Sequence, residues 1–241
     1  MTEQKISYRG YNGLLITIGR TTMSGNLSDR DIRQRELIPP DKLQDTKVMV
    51  VGVGAIGRQV ALQLTAIGVP EITIVDFDHV AVENLATQGF YESDMGRPKV
   101  DAVADICRAI NPSVEIITAH KKFKSIMFTG GVFMCCADGI ETKGSIFNLV
   151  KNRADLFVDG RMSAEYLRVF IVYDEQSREH YGGTLFSNRE AFRGSCTSKT
   201  TIYCSNVAAG LMVSQFAKWL RGCSLDKEID INLLTNEMGA K

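Results

Sequence analysis

The chain has 241 residues, 28 basic and 28 acidic side chains, a formal net charge of zero and 44% hydrophobic residues. That length suits one α/β domain with a sizeable core, the charge balance argues against a polyanionic partner, and no stretch approaches the roughly 20 apolar residues of a membrane span. The first ten residues, MTEQKISYRG, hold no apolar signal region, and six cysteines with no C-x-x-C pair read as the reduced thiols of a cytoplasmic protein, with neither disulfides nor a tetrahedral zinc site.

Residues 1–27 read as an N-terminal arm, and 28–241 as a single domain. In the arm, Tyr11-Asn12-Gly13 followed by LLITI suits a small hairpin, because Asn-Gly fills a type I′ turn. Ser28 or Asp29 is placed to cap a short helix over Arg30 to Leu37, dense in arginine (Arg30, Arg33 and Arg35). This segment is either a solvated charged helix or the carrier of an arginine to a phosphate, in a neighbouring subunit. Pro39-Pro40 breaks the chain before the core.

Lys47 to Asp78 is the stretch that the rest serves. Lys47 to Val51 is a β-branched apolar run suited to a buried parallel strand. Gly52, Gly54 and Gly57 give G-x-G-x-x-G. The first permits a tight turn, the second lets a phosphate approach the backbone, and the third lets helix and strand pack closely. A helix follows with Ile56, Val60, Leu64 and Ile67 on one face, and its free N–H groups face any bound phosphate. After Gly68, Ile72 to Val75 is the next strand, and Asp76 at its end stands where an acid bonds a ribose hydroxyl. Strand, turn, helix, strand and acid together predict a nucleotide site on a Rossmann-like, doubly wound, mostly parallel α/β sheet.

Asp78, Asn84 and Gln88 follow at the same mouth, and Arg97-Pro98-Lys99 opens a helix over Val100 to Ile110 that Asn111-Pro112 ends. Val114 to Thr118 is a strand. Gly131 to Ala137 is a buried strand carrying Cys135 and Cys136 as inert packing, with Asp138 at its end, placed to serve a Mg²⁺. Ile140 to Asn152 reads as a helix, Leu156 to Val158 as a strand closing on Asp159-Gly160-Arg161, and Glu165 to Tyr173 as a longer strand in an antiparallel extension. Residues 174–200 read as an irregular polar loop, in which Cys196 is a candidate reactive thiol beside Lys199. Ile202 to Leu220 is a long apolar helix, and Glu228 to Leu234 a last strand.

In order, the glycine turn, VDFDHVAVENLATQ, MGRPK and INP resemble the motifs of the ThiF, MoeB and HesA adenylyltransferases, the bacterial relatives of ubiquitin-activating enzymes. Arg33-Gln34 is similar to that family's R-x-x-R-Q, and Ala137-Asp138-Gly139 to its T-D-N. The resemblance spans roughly 28–222 and is dense between 48 and 112. It implies an ATP-dependent enzyme in which the C-terminal carboxylate of a ubiquitin-like protein, sulfur-carrier protein or peptide attacks the α-phosphate, giving an acyl-adenylate and pyrophosphate. Carried over, Asp76 would hold the ribose, Asn84, Gln88 and Lys99 would line the phosphates, Asp78 would belong to the same nucleotide site, and Asp138 would serve Mg²⁺. Arg33 would reach the phosphates from the partner of a homodimer, and Cys196 sits where some members carry a sulfur-transfer or thioester cysteine. The chain departs from the family at Thr87, which replaces the arginine of N-L-x-R-Q. Arg97 or Arg58 could compensate. Two alternatives stand beside this reading: a non-catalytic dimer partner, which Thr87 favours, and an NAD-dependent oxidoreductase on the same turn.

Overall fold

The computed structural model describes residues 29–185 and 200–241, and the backbones of two short strands in the arm, β1 (Ile6–Arg9) and β2 (Leu15–Ile18). These two pair antiparallel, Ile6 opposite Ile18, as the small hairpin expected in the arm. Cys196 and Lys199 lie outside the described residues.

The core then runs α1 (Pro40–Leu43), β3 (Lys47–Val51), α2 (Ala55–Ala66), β4 (Glu71–Asp76), α3 (Val82–Gln88), α4 (Lys99–Ile110), β5 (Glu115–His120), β6 (Gly131–Cys135), α5 (Ile140–Val150) and β7 (Ala154–Ser163). After it come β8 (Tyr166–Val172), α6 (Glu175–Gly183), α7 (Ile202–Arg221), β9 (Glu228–Asn232) and β10 (Glu237–Ala240). One sheet carries eight of these strands in the order β5-β4-β3-β6-β7-β8-β9-β10. The five strands from β5 to β7 are mutually parallel, and β8, β9 and β10 extend the sheet antiparallel.

Alternation along the strands divides the core in two. Val48 and Val50 face one layer with Val60, Leu64 and Met212; Met49 and Val51 face the other with Phe133, Phe147 and Phe157. A period of two does this in any strand covered on both faces. Sequence order departs from spatial order between β3 and β6: the chain builds β4 and β5 on one side of β3, then crosses to the other. The carboxyl ends of β3 and β6 therefore diverge into a crevice, where open α/β sheets bind ligands.

Four local expectations are corrected. Residues 30–37 form a 3-10 turn at Asp29–Asp31 and further turns, not a helix. Eight residues with Ile32 and Leu37 exposed bury too little to offset helix nucleation. The run 174–200 is not irregular throughout, because α6 occupies Glu175–Gly183. The Asp174 side chain accepts from Ser177 N at 2.7 Å, and Tyr181, 1% exposed, anchors the helix to the sheet. That capping pair was visible in the sequence. Cys136 lies just past β6 rather than inside it, and β10 adds an edge strand after the predicted last one.

Candidate active site

The glycine turn is shaped by contacts that leave no room for side chains. Gly52 has φ +83°, and a Cβ there would stand 2.6 Å from the carbonyl oxygen of Cys136. A Cβ on Gly57 would stand 1.8 Å from the carbonyl oxygen of Gly52. The turn is thus pressed against both its own helix and the end of β6, which brings Asp138 beside it. Asp76 closes the turn from the other side. Its Oδ2 accepts from Val53 N at 2.7 Å and its Oδ1 from Asp78 N at 2.9 Å. Asp76 therefore latches β4 to the turn, with one lone pair on each oxygen left for a ligand.

Gly54 faces a different neighbour. A Cβ there would lie 3.5 Å from Oε1 of Gln88, and that amide oxygen is sealed from solvent with no hydrogen-bond partner. An orphaned polar atom over the N-terminus of α2 is a group placed for something that the protein itself does not supply. Asn84, about one turn before Gln88 in α3, caps that helix by accepting from Ala81 N at 3.0 Å. Its amide N–H₂ remains as a donor. Lys99, 6% exposed, opens α4 after Pro98, and its Nζ stands 3.4 Å from Oδ2 of the exposed Asp78. Asp76 thus links Asp78, and through it Lys99, to the glycine turn, and Gln88 lies over Gly54.

Asp138 is exposed at the end of β6. Among the described residues no three His, Cys, Asp or Glu side chains gather as a metal cluster. One carboxylate beside a phosphate cradle suits Mg²⁺, which binds through one or two carboxylates plus phosphates and waters. Cys135 is fully buried, and burial pushes its thiol up to about 12, which marks it as packing. Arg33 is exposed and is not brought to this mouth. Its segment packs at the far end of α2, where Gln34 Nε2 donates to the Ile67 carbonyl at 3.4 Å. Twelve helical residues separate the two ends, about 18 Å.

The sequence reading missed a buried ionic cluster under the crevice. Asp159, 0% exposed, accepts from Lys143 Nζ at 2.5 Å, Arg161 Nε at 2.7 Å and the Tyr181 hydroxyl at 3.0 Å. Burial alone would lower the Lys143 ammonium, but the charge of Asp159 outweighs it and the ammonium is raised. Lys143 also donates to the Gly160 carbonyl at 3.0 Å, which ties α5, and with it Asp138, to β7. The available signal was a lysine in helical register with the apolar face of Ile146, Phe147 and Val150, and the Asp-Gly-Arg closing a buried strand.

Comparison with known proteins places this arrangement. The model of the ThiF family matches residues 29–239. The molybdopterin-synthase adenylyltransferase of Escherichia coli is 35% identical over 112 residues, 44% of this chain and 45% of that protein. The chain spans less than half the length of the curated relatives it matches. Among solved structures, PaaA superposes with a TM-score of 0.73 over 92% of this chain and 76% of its own, at 19% identity. Escherichia coli MccB in complex with ATP gives 0.69 over 91% and 73%, at 18% identity. These two likenesses show a shared fold. Among the described residues no helix is long and apolar enough to cross a membrane.

Proposed function

The chain belongs to the ThiF family, and on that premise we propose that it is an ATP-dependent adenylyltransferase that activates a C-terminal carboxylate. The acceptor is a small ubiquitin-like or sulfur-carrier protein, or a peptide. The observation that carries the reading is the convergence of Gly54, the orphaned Gln88 oxygen and the Lys99–Asp78 pair at the carboxyl ends of β3 and β4. Three separate elements deliver groups suited to a ribose and a chain of phosphates.

The reaction sets an anion against a polyanion, so the protein's task is charge stabilisation and alignment rather than proton transfer. Backbone N–H groups at the start of α2 receive phosphate oxygens. Asp78 and the free lone pairs of Asp76 accept from the ribose hydroxyls. Lys99 neutralises phosphate charge, Gln88 and Asn84 fix its orientation by donating from their amide N–H₂ groups, and Asp138 would hold a Mg²⁺. Such an ion would lower the repulsion between the carboxylate and the phosphates. The carboxylate oxygen bonds to the α-phosphorus as the bond to the bridging oxygen breaks, and pyrophosphate carries away the electron pair. Arg33, whose segment packs at the far end of α2 from its own chain's glycine turn, serves the site of a partner copy in a homodimer.

The test is substrate-dependent exchange of labelled pyrophosphate into ATP with candidate acceptors, beside thermal denaturation with Mg-ATP. At about 100 times its dissociation constant a ligand adds roughly 2.7 kcal/mol of stability. A Mg-ATP shift that Lys99→Ala removes, together with exchange, supports the enzyme. No shift and no exchange with any acceptor would leave the non-catalytic partner, the reading that Thr87 favours.

A further inference from the structure

Thr87 stands where the resemblance calls for an arginine, and the structure shows what it does instead. Its hydroxyl donates to the Glu83 carbonyl of its own helix at 2.8 Å and offers no positive charge. The two arginines that could take over the task are in opposite states. Arg97 is bound twice, to Asp94 Oδ1 at 3.0 Å and to Asp105 Oδ2 at 2.5 Å, and is part of the loop's own fabric.

Arg58 is different. It is 5% exposed, and among the described residues it makes no salt bridge and no side-chain hydrogen bond. Its Nε is sealed from solvent without a partner. It stands against the ring of Phe90, with the guanidinium carbon 5.4 Å from the centroid. Burial lowers the guanidinium's proton affinity, and Tyr91 and Asp94 only partly oppose this from a distance. A buried cation with neither carboxylate nor carbonyl is costly unless a counter-charge arrives.

Its position says from where. The Arg58 N–H bonds the Gly54 carbonyl at 3.0 Å, so it stands one turn into α2. Helical Cα–Cβ bonds tilt toward the N-terminus, so the side chain leans back to the end where phosphate binds. Its Nη1 lies 3.2 Å from where a Cβ of Gly89 would be, immediately after the orphaned Gln88.

We propose that Arg58 is a second phosphate-binding cation of this site beside Lys99, supplying from the first turns of α2 the charge that Thr87 does not supply from α3. The inference rests on the adenylyltransferase reading for its ligand but not for its chemistry: the group recognised is the triphosphate. A guanidinium there pairs bidentately with non-bridging oxygens, and the ligand's charge relieves the buried cation.

The experiment measures binding of Mg-ATP, tripolyphosphate and adenosine by calorimetry to wild type, Arg58→Met, Thr87→Arg and the double variant. Loss of one charged contact should weaken Mg-ATP and tripolyphosphate about 10- to 100-fold in Arg58→Met, leave adenosine unchanged and not lower the ligand-free Tm. Thr87→Arg should restore most of the loss in the Arg58→Met background and add less than about threefold to wild type, where the charge is already present. Unchanged triphosphate affinity in Arg58→Met, or a lowered ligand-free Tm with no recovery by Thr87→Arg, would make Arg58 a packing residue and overturn the proposal. If Arg58→Met does not fold, Thr87→Arg in the wild-type background decides alone: a gain of about tenfold or more means the site lacked that cation. Binding of tripolyphosphate but not ATP would sink the adenylyltransferase reading and keep this one, and binding of neither to wild type would sink both.

Discussion

Replacing Asp159 by alanine removes the sole carboxylate from a buried cluster that contains Lys143 and Arg161. Three bonds go at once, at 2.5, 2.7 and 3.0 Å. The Lys143 side chain is 5% exposed and that of Arg161 11%, so neither cation regains full hydration. Breaking a buried pair from one side costs about 3–5 kcal/mol, because the remaining charge stays buried. In a chain of this size each kcal/mol moves Tm by about 2–4 °C, so Asp159→Ala should lower Tm by about 6–20 °C. Urea denaturation at pH 7, read by circular dichroism and tryptophan fluorescence, gives the free energy directly. Asp159→Asn keeps an acceptor oxygen and the shape, and should cost less. Because Lys143 tethers the helix that follows Asp138, the surviving folded fraction should also need more Mg²⁺ for ATP binding. A loss below about 1 kcal/mol, the scale of a solvated surface pair, would refute the reasoning.

Gly57→Ala places a Cβ 1.8 Å from a backbone oxygen that no rotamer change can clear; denaturant titration should show a loss of at least about 1–3 kcal/mol, and calorimetry a loss of Mg-ATP binding. Glu228 is 2% exposed; burial pushes its carboxyl up, but hydrogen bonds from Arg168 and His180 and the charges of Arg168 and Lys241 outweigh it, so its folded value lies below the usual one. Its contribution is therefore present above the unfolded glutamate value, about 4.3, and fades as pH falls through the lower folded value; Glu228→Gln should flatten the wild-type stability slope between roughly pH 5 and 3, and an unchanged slope would count against the pairing. Inactive Arg33→Ala and Lys99→Ala chains, mixed after co-refolding, should recover up to roughly a quarter of wild-type exchange activity if each site of a two-fold dimer uses the partner's Arg33. No recovery would place Arg33 outside the site.

The sequence by itself determined the parts that depend on near neighbours. The spacing of Gly52, Gly54 and Gly57, the alternation of Val48 to Val51 and the acid at Asp76 require only a strand, a turn and a helix in succession. Those are set by steric and hydrogen-bonding demands within about thirty residues. The order of motifs from Asp76 to Lys99 carried the site's membership for the same reason. Where local signals were short they misled: residues 30–37 carry a helix-like charge pattern without a buried face, and α6 was hidden in a polar run although Asp174 and Ser177 announced it. Tertiary structure alone decided which charges meet. Nothing in the spacing of Lys143, Asp159 and Arg161 pairs them, since they come from a helix and a strand that the sheet brings together. Likewise Arg97 and Arg58 are both plain arginines in the sequence, yet the fold gives one of them two carboxylates and leaves the other buried among the described residues without a bonded partner. An ion's cost is fixed by its distance to every other charge and to water, and those distances exist only once the chain has folded.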